Sequence, residues 1–238
     1  MKLYIDINKD NRQAWLKKAL AGIPAGFRIL DAGAGRLDNK PLCSHLVYVS
    51  QDFCRYDGVG DGRGLPVSGW DTSRIDLVCD ITAIPEPDAT FDAILCSEVL
   101  EHVPDPLKVL DEFARLLKPE GKLILTAPFC SLVHFAPYHY CDGFSRYWYE
   151  YHLTRRGFQI EELTPNGDWF LYCRQELARL GGMSRRYKDW SWPLAYALGM
   201  LGMLYFKIRG RYARRADDVA CFGWHCIAVK KKSLTGKV

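Results

Sequence analysis

The sequence contains nine cysteines but no Cys-x-x-Cys pair. Several of the cysteines lie inside apolar runs, such as Asp76–Asp80 and Ala93–Ser97, where a free thiol usually acts as a small hydrophobic side chain. The amino-terminal segment also lacks the charged and apolar pattern of a secretory leader. We therefore expect free thiols, no metal ligands among them, and a cytoplasmic location.

The uncharged segment 190–206 has 17 residues, fewer than the roughly 20 apolar residues that a membrane-spanning helix needs. Tryptophans lie at one end of it and arginines and lysines flank both ends, a pattern typical of a helix at a membrane interface. Residues 190–215 are therefore predicted to make peripheral contact with the inner face of a membrane. A buried cap helix and a dimer contact remain the alternatives.

Acidic residues are scarce in the carboxyl-terminal part of the chain. Residues 171–238 hold 14 Lys and Arg against 4 Asp and Glu, whereas residues 1–170 hold 18 against 24. A basic segment suits anionic partners such as lipid headgroups, phosphate-bearing substrates or nucleic acid. Nucleic acid is disfavoured because Cys96–Val99 stands where a target-base motif such as Asn-Pro-Pro-Tyr would follow the fourth strand.

Short apolar runs alternate with helical patterns along the first two thirds of the chain. A lead-in helix is predicted over 8–22, a helix beginning at Pro106 carries an apolar stripe to Leu117, and residues 168–215 are predicted to be helical. Strands are predicted at 27–30, 46–49, 75–78, 91–96, 122–126, 158–163 and 221–229. This alternation predicts an α/β, Rossmann-like, doubly wound sheet of seven mostly parallel strands, with a helical insert before the last strand.

The first predicted strand runs into the segment Asp31-Ala32-Gly33-Ala34-Gly35. Two glycines in a loop after a strand let the backbone approach a ligand closely, as nucleotides require. The third glycine of a dinucleotide fingerprint is missing, because Asp38 occupies its position, and no Walker-type Lys-Ser or Lys-Thr is present. Neither a hydride-transfer enzyme nor a triphosphate site is therefore favoured.

Acidic residues also stand at the ends of the next two strands, at Asp52 and Asp80. These strand ends should open into one crevice. Asp52 can accept two hydrogen bonds from a ribose diol, and Asp80 can accept one from an adenine amino group while Ile81 packs on the ring. The predicted ligand is an adenosine, and a sulfonium nucleoside fits better than ATP.

These motifs resemble the class I methyltransferases, specifically the simple methyltransferase-domain family of type 11, in a subgroup of bacterial glycan-associated and uncharacterised enzymes. The resemblance covers about 27–129, including Phe91–Val103 and Leu116–Leu123. It implies S-adenosylmethionine as cofactor and one domain over 1–238. It further implies that these residues bind the cofactor: Asp31, Ala32, Gly33, Ala34, Gly35, Asp52, Phe53, Asp80, Ile81 and Ser97. Because Pro41 interrupts the short stretch 36–45, the usual helix after the glycine loop should be short.

Residues 128–157 are predicted to cap the cofactor and meet the acceptor, and 168–215 to form a basic helical insert. Methyl transfer to a hydroxyl benefits from a base, for which His102, His134 and His139 are the candidates. His102 alternatively caps the following helix, and the other two histidines alternatively hold the loop together. Glu98 and Glu101 are interpreted as loop-orienting residues rather than bases.

The predicted function is transfer of the methyl group of S-adenosylmethionine to a hydroxyl of a saccharide, a lipid-linked glycan or another small molecule. Two alternatives stay open. One is a small-molecule N-methyltransferase, and the other is an inactive partner subunit that keeps the cofactor pocket, although Asp31, Gly33 and Gly35 are all intact.

Overall fold

The computed structural model describes residues 7–65, 70–209 and 216–232. The chain divides into two compact units. One comprises 12–164 with 223–238, and the other comprises 165–222 with the amino-terminal residues up to Asn11. All nine cysteines are free thiols, and four of them are buried.

Seven strands form one sheet in the order β3-β2-β1-β4-β5-β7-β6. The first five are parallel where they pair, and β7 is antiparallel to β5. The strands are β1 (Arg28–Ala32), β2 (Val47–Asp52), β3 (Leu77–Val78), β4 (Phe91–Ser97), β5 (Leu117–Pro128), β6 (Phe158–Asn166) and β7 (Gly223–Lys230). The predicted seven-stranded, mostly parallel α/β sheet is confirmed.

Three helices accompany the strands before the insert: α1 (Ile7–Ala21), α2 (Pro106–Leu116) and α3 (Arg146–Arg155). Helix α2 begins where the Asp105 carboxylate accepts the Lys108 N–H at 3.2 Å, with proline in the first turn. Its apolar stripe, which includes Val109, Leu110 and Phe113, is fully buried. A second buried cluster joins Leu16 and Leu20 of α1 to apolar residues of β1, β4 and β5. Burying these side chains holds the carboxyl ends of the strands in fixed positions.

Strands β3 and β5 begin at residues different from those predicted. Strand β3 begins only at Leu77, because the Asp76 carboxylate accepts both the N–H and the hydroxyl of Ser50, at 2.9 and 2.6 Å, in place of a strand carbonyl. Strand β5 begins five residues early, since Leu117 pairs with Phe91 before the register shifts. The helix after the glycine loop is, as predicted, short: a single 3₁₀ turn over Lys40–Cys43.

The second unit contains an antiparallel pair of helices, α4 (Trp169–Arg186) and α5 (Trp192–Arg209). They are separated at Asp189, whose carboxylate accepts the Ser191 N–H at 3.0 Å. A methyl group at Gly199 would lie 2.5 Å from the carbonyl oxygen of Leu177, so the small residue permits close helix packing. Residues 210–215, the end of the predicted insert, lie outside the described residues.

Candidate functional site

The order of the strands reverses between β1 and β4, which places the loops after these two strands side by side. In open α/β sheets the crevice at such a reversal is where ligands bind. Gly33 and Gly35 both have positive φ angles, 74° and 51°. The Gly33 N–H donates to the main-chain carbonyl of Gln51 at 2.9 Å, so the glycine loop turns back onto the end of β2.

Asp52 at the end of β2 is 5% exposed and faces this crevice. Its Oδ2 accepts the Gly35 N–H at 3.0 Å and its Oδ1 accepts the Cys54 N–H at 2.8 Å. Burial raises the pKa of Asp52, while these backbone donors oppose the rise. Each carboxylate oxygen keeps a further lone pair with which it can accept a ligand hydroxyl.

Asp31 lies at the carboxyl end of β1 but is not among the described residues that line the crevice. It is 1% exposed, and its Oδ2 accepts the hydroxyl of Tyr48 at 2.6 Å. Burial raises the pKa of Asp31 to about 6, and the hydrogen bond from Tyr48 opposes that shift. This carboxylate therefore links the start of the glycine loop to β2 through its hydrogen bond with Tyr48.

Asp80 and Ile81 follow β3 and lie at the crevice. The Asp80 Oδ1 accepts both the N–H and the hydroxyl of Thr82, at 2.8 and 2.7 Å. The hydrogen bond from the Thr82 N–H lowers the pKa of Asp80 most, and the bond from the Thr82 hydroxyl lowers it further. Asp80 is therefore ionised at neutral pH. Ile81 is 7% exposed and presents apolar surface beside this carboxylate.

These strand ends open into a cavity of about 210 Å³. Five of the ten residues predicted to bind cofactor line it: Gly33, Asp52, Phe53, Asp80 and Ile81. The other five do not line it: Asp31, Ala32, Ala34, Gly35 and Ser97. Ser97 instead shares a 2.9 Å hydrogen bond with Thr126, whose hydroxyl also donates to Glu98 at 2.9 Å.

Three aromatic residues form a wall of the cavity that the sequence did not reveal. Tyr56, Trp70 and Phe135 contact one another with ring centroids 4.6 to 5.6 Å apart. A methyl group at Gly35 would lie 2.8 Å from the Trp70 ring, so the indole packs directly on the glycine loop. Trp70 and Tyr56 belong to a long Gly- and Asp-rich loop, and no periodic pattern there marks them as cavity residues.

The three candidate bases lie together. Ring centroids of His102 and His134 are 4.6 Å apart, and His139 lies 5.8 Å from the first and 5.2 Å from the second. His102 also lines the cavity, and its Nδ1 faces the carbonyl oxygen of Tyr138 at 2.6 Å. Burial, together with the charge of His134, lowers the pKa of His102 to about 3, so this ring is neutral at physiological pH.

Glu101 lies beside this cluster with a side chain that is 1% exposed. Neither carboxylate oxygen has a hydrogen-bond partner among the described residues. Its main-chain carbonyl accepts the N–H groups of Tyr140 and Cys141 at 2.8 and 3.2 Å, which fixes the 128–145 segment on the turn after β4. Glu98 has a different environment, because its carboxylate binds Arg12 at 3.0 Å.

Comparison with known proteins is consistent with this geometry. Residues 65–125 match the methyltransferase domain family. An enzyme of Xanthomonas oryzae named ubiquinone biosynthesis O-methyltransferase is 37% identical over 108 residues, which is 43% of each chain. The chain thus spans less than half the length of the curated relatives it matches. The middle part of the chain is thus similar in sequence to methyltransferases.

Solved structures show the same fold along nearly the whole chain. A putative sarcosine dimethylglycine methyltransferase from Galdieria sulphuraria superposes with a TM-score of 0.56 at 18% identity, covering 96% of this chain and 92% of that one. A phosphoethanolamine N-methyltransferase from Haemonchus contortus, solved with S-adenosylhomocysteine, gives 0.51 at 18% identity over 94% of this chain and 53% of its own.

The similarity to methyltransferases implies S-adenosylmethionine as the cofactor, and the cavity suits it. Asp52 can accept hydrogen bonds from a ribose diol, and it faces the same space as the ionised Asp80 and the apolar Ile81. At the glycine loop, a side chain on Gly33 would collide with Val99, at 2.5 Å from its methyl carbon. The residue-by-residue assignments of cofactor contacts, and the domain limits given above, stay predictions.

Proposed function

We propose that this methyltransferase transfers a methyl group to a hydroxyl oxygen of a small or lipid-linked acceptor. The observation that carries this proposal is the group of three histidines at the rim of the cofactor cavity, where His102 lines the wall. A hydroxyl must lose its proton during methylation, and imidazoles are suited to assist that loss.

S-adenosylmethionine, when bound, supplies a methyl carbon, and the acceptor oxygen forms a bond to it. The carbon–sulfur bond breaks at the same time, its electron pair stays on sulfur, and the hydroxyl proton leaves. The protein itself contributes by positioning the reactants and by its charged side chains. Asp52 and the glycine loop hold the nucleoside, and the aromatic wall of Tyr56, Trp70 and Phe135 excludes water from the cavity. Holding the acceptor oxygen in line at near-contact distance supplies much of the rate.

Oxygen is favoured over nitrogen as the accepting atom by the name of the curated relatives, which are O-methyltransferases of ubiquinone biosynthesis. Saccharides and lipid-linked glycans, which the resemblance of the sequence suggests, remain in the proposed acceptor class. An acceptor screen should therefore include glycans, lipid-linked glycans and intermediates of ubiquinone biosynthesis, each with a matched amine as the test for N-methylation.

A lipid-linked acceptor agrees with the outer face of α5. Apolar side chains at positions 194, 198, 201, 205 and 208 recur at helical spacing and are 49 to 65% exposed. Cations at both ends of the helix, including Arg185, Arg186, Lys207 and Arg209, would meet anionic headgroups. Among the described residues, no helix is both long and apolar enough to cross a bilayer. We propose that α5 lies on an anionic membrane surface.

Vesicle sedimentation tests this contact. The native protein should bind vesicles containing phosphatidylglycerol and should dissociate when the salt concentration is raised. The double variant Leu198→Glu with Leu201→Glu should lose binding, whereas Val59→Glu, exposed at 71% but outside α5, should not. Equal binding of all three proteins would overturn the membrane proposal and leave the catalytic one untouched.

Calorimetric titration with S-adenosylmethionine, with NAD as the control ligand, is the first test of the catalytic proposal. Saturable binding followed by transfer of labelled methyl to a hydroxyl acceptor is the expected result. Binding without transfer to any hydroxyl acceptor in the screen would favour the inactive partner subunit, and transfer to the matched amines alone would favour an N-methyltransferase.

A further inference from the structure

Trp70 and Phe135 connect the glycine loop to the candidate base His102. A methyl group at Gly35 would lie 2.8 Å from the Trp70 ring, and the ring centroids of Trp70 and Phe135 are 4.7 Å apart. The Phe135 ring centroid lies in turn 4.9 Å from that of His102. Both aromatic rings line the cavity. They therefore flank the space between the loop that supports the cofactor and the histidine cluster.

The order of the strands places the reacting end of the cofactor in this space. Asp80, Asp52 and the glycine loop follow β3, β2 and β1, which are neighbours in the sheet, and β4 comes next. A nucleoside with its base at Asp80 and its ribose at Asp52 leaves the side of β1 and β4 for its sulfonium end. Trp70 packs on the loop after β1, and His102 follows β4. The methyl group must therefore pass beside the two aromatic rings.

The sulfonium group brings a positive charge into a cavity from which water is largely excluded. Removal of a cation from water is unfavourable unless the protein compensates it. Three acids are among the described residues that line the cavity. Asp52 and Asp80 are assigned to the nucleoside, and Glu98 is paired with Arg12 at 3.0 Å. The negative faces of aromatic rings are a further way to stabilise a ligand cation.

Contacts between two loops hold these rings in place. The Leu65 N–H donates to the carbonyl oxygen of Val133 at 2.7 Å, which joins the loop that carries Trp70 to the loop that carries Phe135. The two rings pack edge to face, at an interplanar angle of 79°. This arrangement leaves both faces of the edge-on ring open to other neighbours. A cation can therefore be stabilised by rings that are already positioned.

We infer that Trp70 and Phe135 bind the sulfonium charge of S-adenosylmethionine through their aromatic faces. S-adenosylhomocysteine, the product, has a neutral thioether in place of the sulfonium and lacks this interaction. The two rings therefore favour binding of the methyl donor over retention of the spent cofactor. The inference rests on the proposed function only for the place of the acceptor, because the preference for charge needs no acceptor.

A ratio of affinities tests this inference without any measurement of turnover. Calorimetry measures the Kd of S-adenosylmethionine and of S-adenosylhomocysteine, and sinefungin, which carries an ammonium group in place of the sulfonium, is a second cationic probe. Trp70→Leu and Phe135→Leu should each reduce the preference for the cationic ligands about 3- to 30-fold. Trp70→Phe keeps an aromatic face and should retain most of the preference. Trp148→Leu, at a tryptophan of α3 that is not among the described lining residues, should leave the ratio unchanged.

Equal weakening of all three ligands would show that the rings only shape the cavity, and it would overturn the inference. An unchanged ratio, or the same shift in Trp148→Leu, would overturn it as well. If the leucine variants fail to fold, protein labelled with fluorinated tryptophan decides, because fluorine weakens the negative face with little change of shape and Trp70 is the tryptophan among the described lining residues. An unchanged ratio in the labelled protein overturns the inference. A shifted ratio without methyl transfer to any hydroxyl acceptor would overturn the proposed function and keep this inference.

Discussion

The Tyr48 hydroxyl donates a 2.6 Å hydrogen bond to the Asp31 carboxylate at the base of the glycine loop. This bond only partly offsets the burial of Asp31, whose pKa is about 6 against 3.8 for the free side chain. In its ionised form the carboxylate therefore destabilises the fold. A group whose pKa is raised on folding stabilises most below its unfolded pKa, and that contribution is lost as the pH rises through its folded pKa.

We accordingly predict that Asp31→Asn becomes increasingly stable relative to the native protein between pH 4.5 and 8. The expected gain in relative free energy of unfolding is about 2 kcal/mol over this range, because the native carboxylate must ionise in its buried position. Urea unfolding at several pH values measures the difference. Asp38→Asn, at an acid whose side chain is 55% exposed, is the control and should give an almost flat profile. A flat profile for Asp31→Asn as well would contradict the buried, partly protonated carboxyl.

A second prediction concerns the ribose. Asp52→Asn keeps the shape of the side chain but removes the charge, and we expect about 10- to 100-fold weaker binding of S-adenosylhomocysteine, since hydrogen bonds to a charged acceptor contribute about 1.5–3 kcal/mol. Calorimetry measures the affinity. Asp111→Asn, which removes an exposed carboxylate of α2 paired with Arg156, should bind like the native protein. Unchanged affinity in Asp52→Asn would show that this carboxylate does not contact the ribose.

A third prediction follows from the contact between Gly33 and Val99. A methyl group at Gly33 would lie 2.5 Å from a Val99 methyl carbon, and the φ of 74° adds strain of about 1–2 kcal/mol for a residue with a side chain. Gly33→Ala should therefore lose most cofactor binding.

The control for this prediction is a second substitution. Adding Val99→Ala removes the methyl carbons that collide and should restore part of the affinity, leaving only the backbone strain. Gly26→Ala, at a glycine with positive φ and no atom of the described residues within 4 Å of the added carbon, should reduce stability slightly but not cofactor affinity. Failure of the double variant to recover would mean that strain, rather than contact with Val99, requires glycine.

The sequence predicted the strands, the helices and the glycine loop of this protein well, because each of them depends on a local pattern. The alternation of strands and helices, the glycine loop and the acids after β2 and β3 are all properties of short segments, and the parallel topology brings those strand ends together. The brevity of the helix after the loop also follows locally, from Pro41.

The walls of the cavity could not be predicted in the same way. Trp70 and Phe135 meet across 65 residues of chain, and only the tertiary structure brings the loop after β2 to the loop after β5. The burial of the Glu101 carboxylate could not be predicted either, because sequence does not reveal whether a carboxylate lies buried without a partner among the described residues.

The last prediction concerns His139, the third histidine of the cluster. Its side chain is 5% exposed, and Nε2 lies 3.4 Å from Asp142 Oδ1. Within the described part of the chain, neither ring nitrogen makes a hydrogen bond. If the histidine cluster takes up the proton of the acceptor, His139 is the member whose ring nitrogens are open to receive it. His139→Gln should then lower kcat about 10²- to 10⁴-fold, the usual contribution of a general base, with little change in cofactor affinity. His152→Gln is the matched control and should keep native kcat. Full turnover by His139→Gln would mean that His139 does not receive the proton of the acceptor.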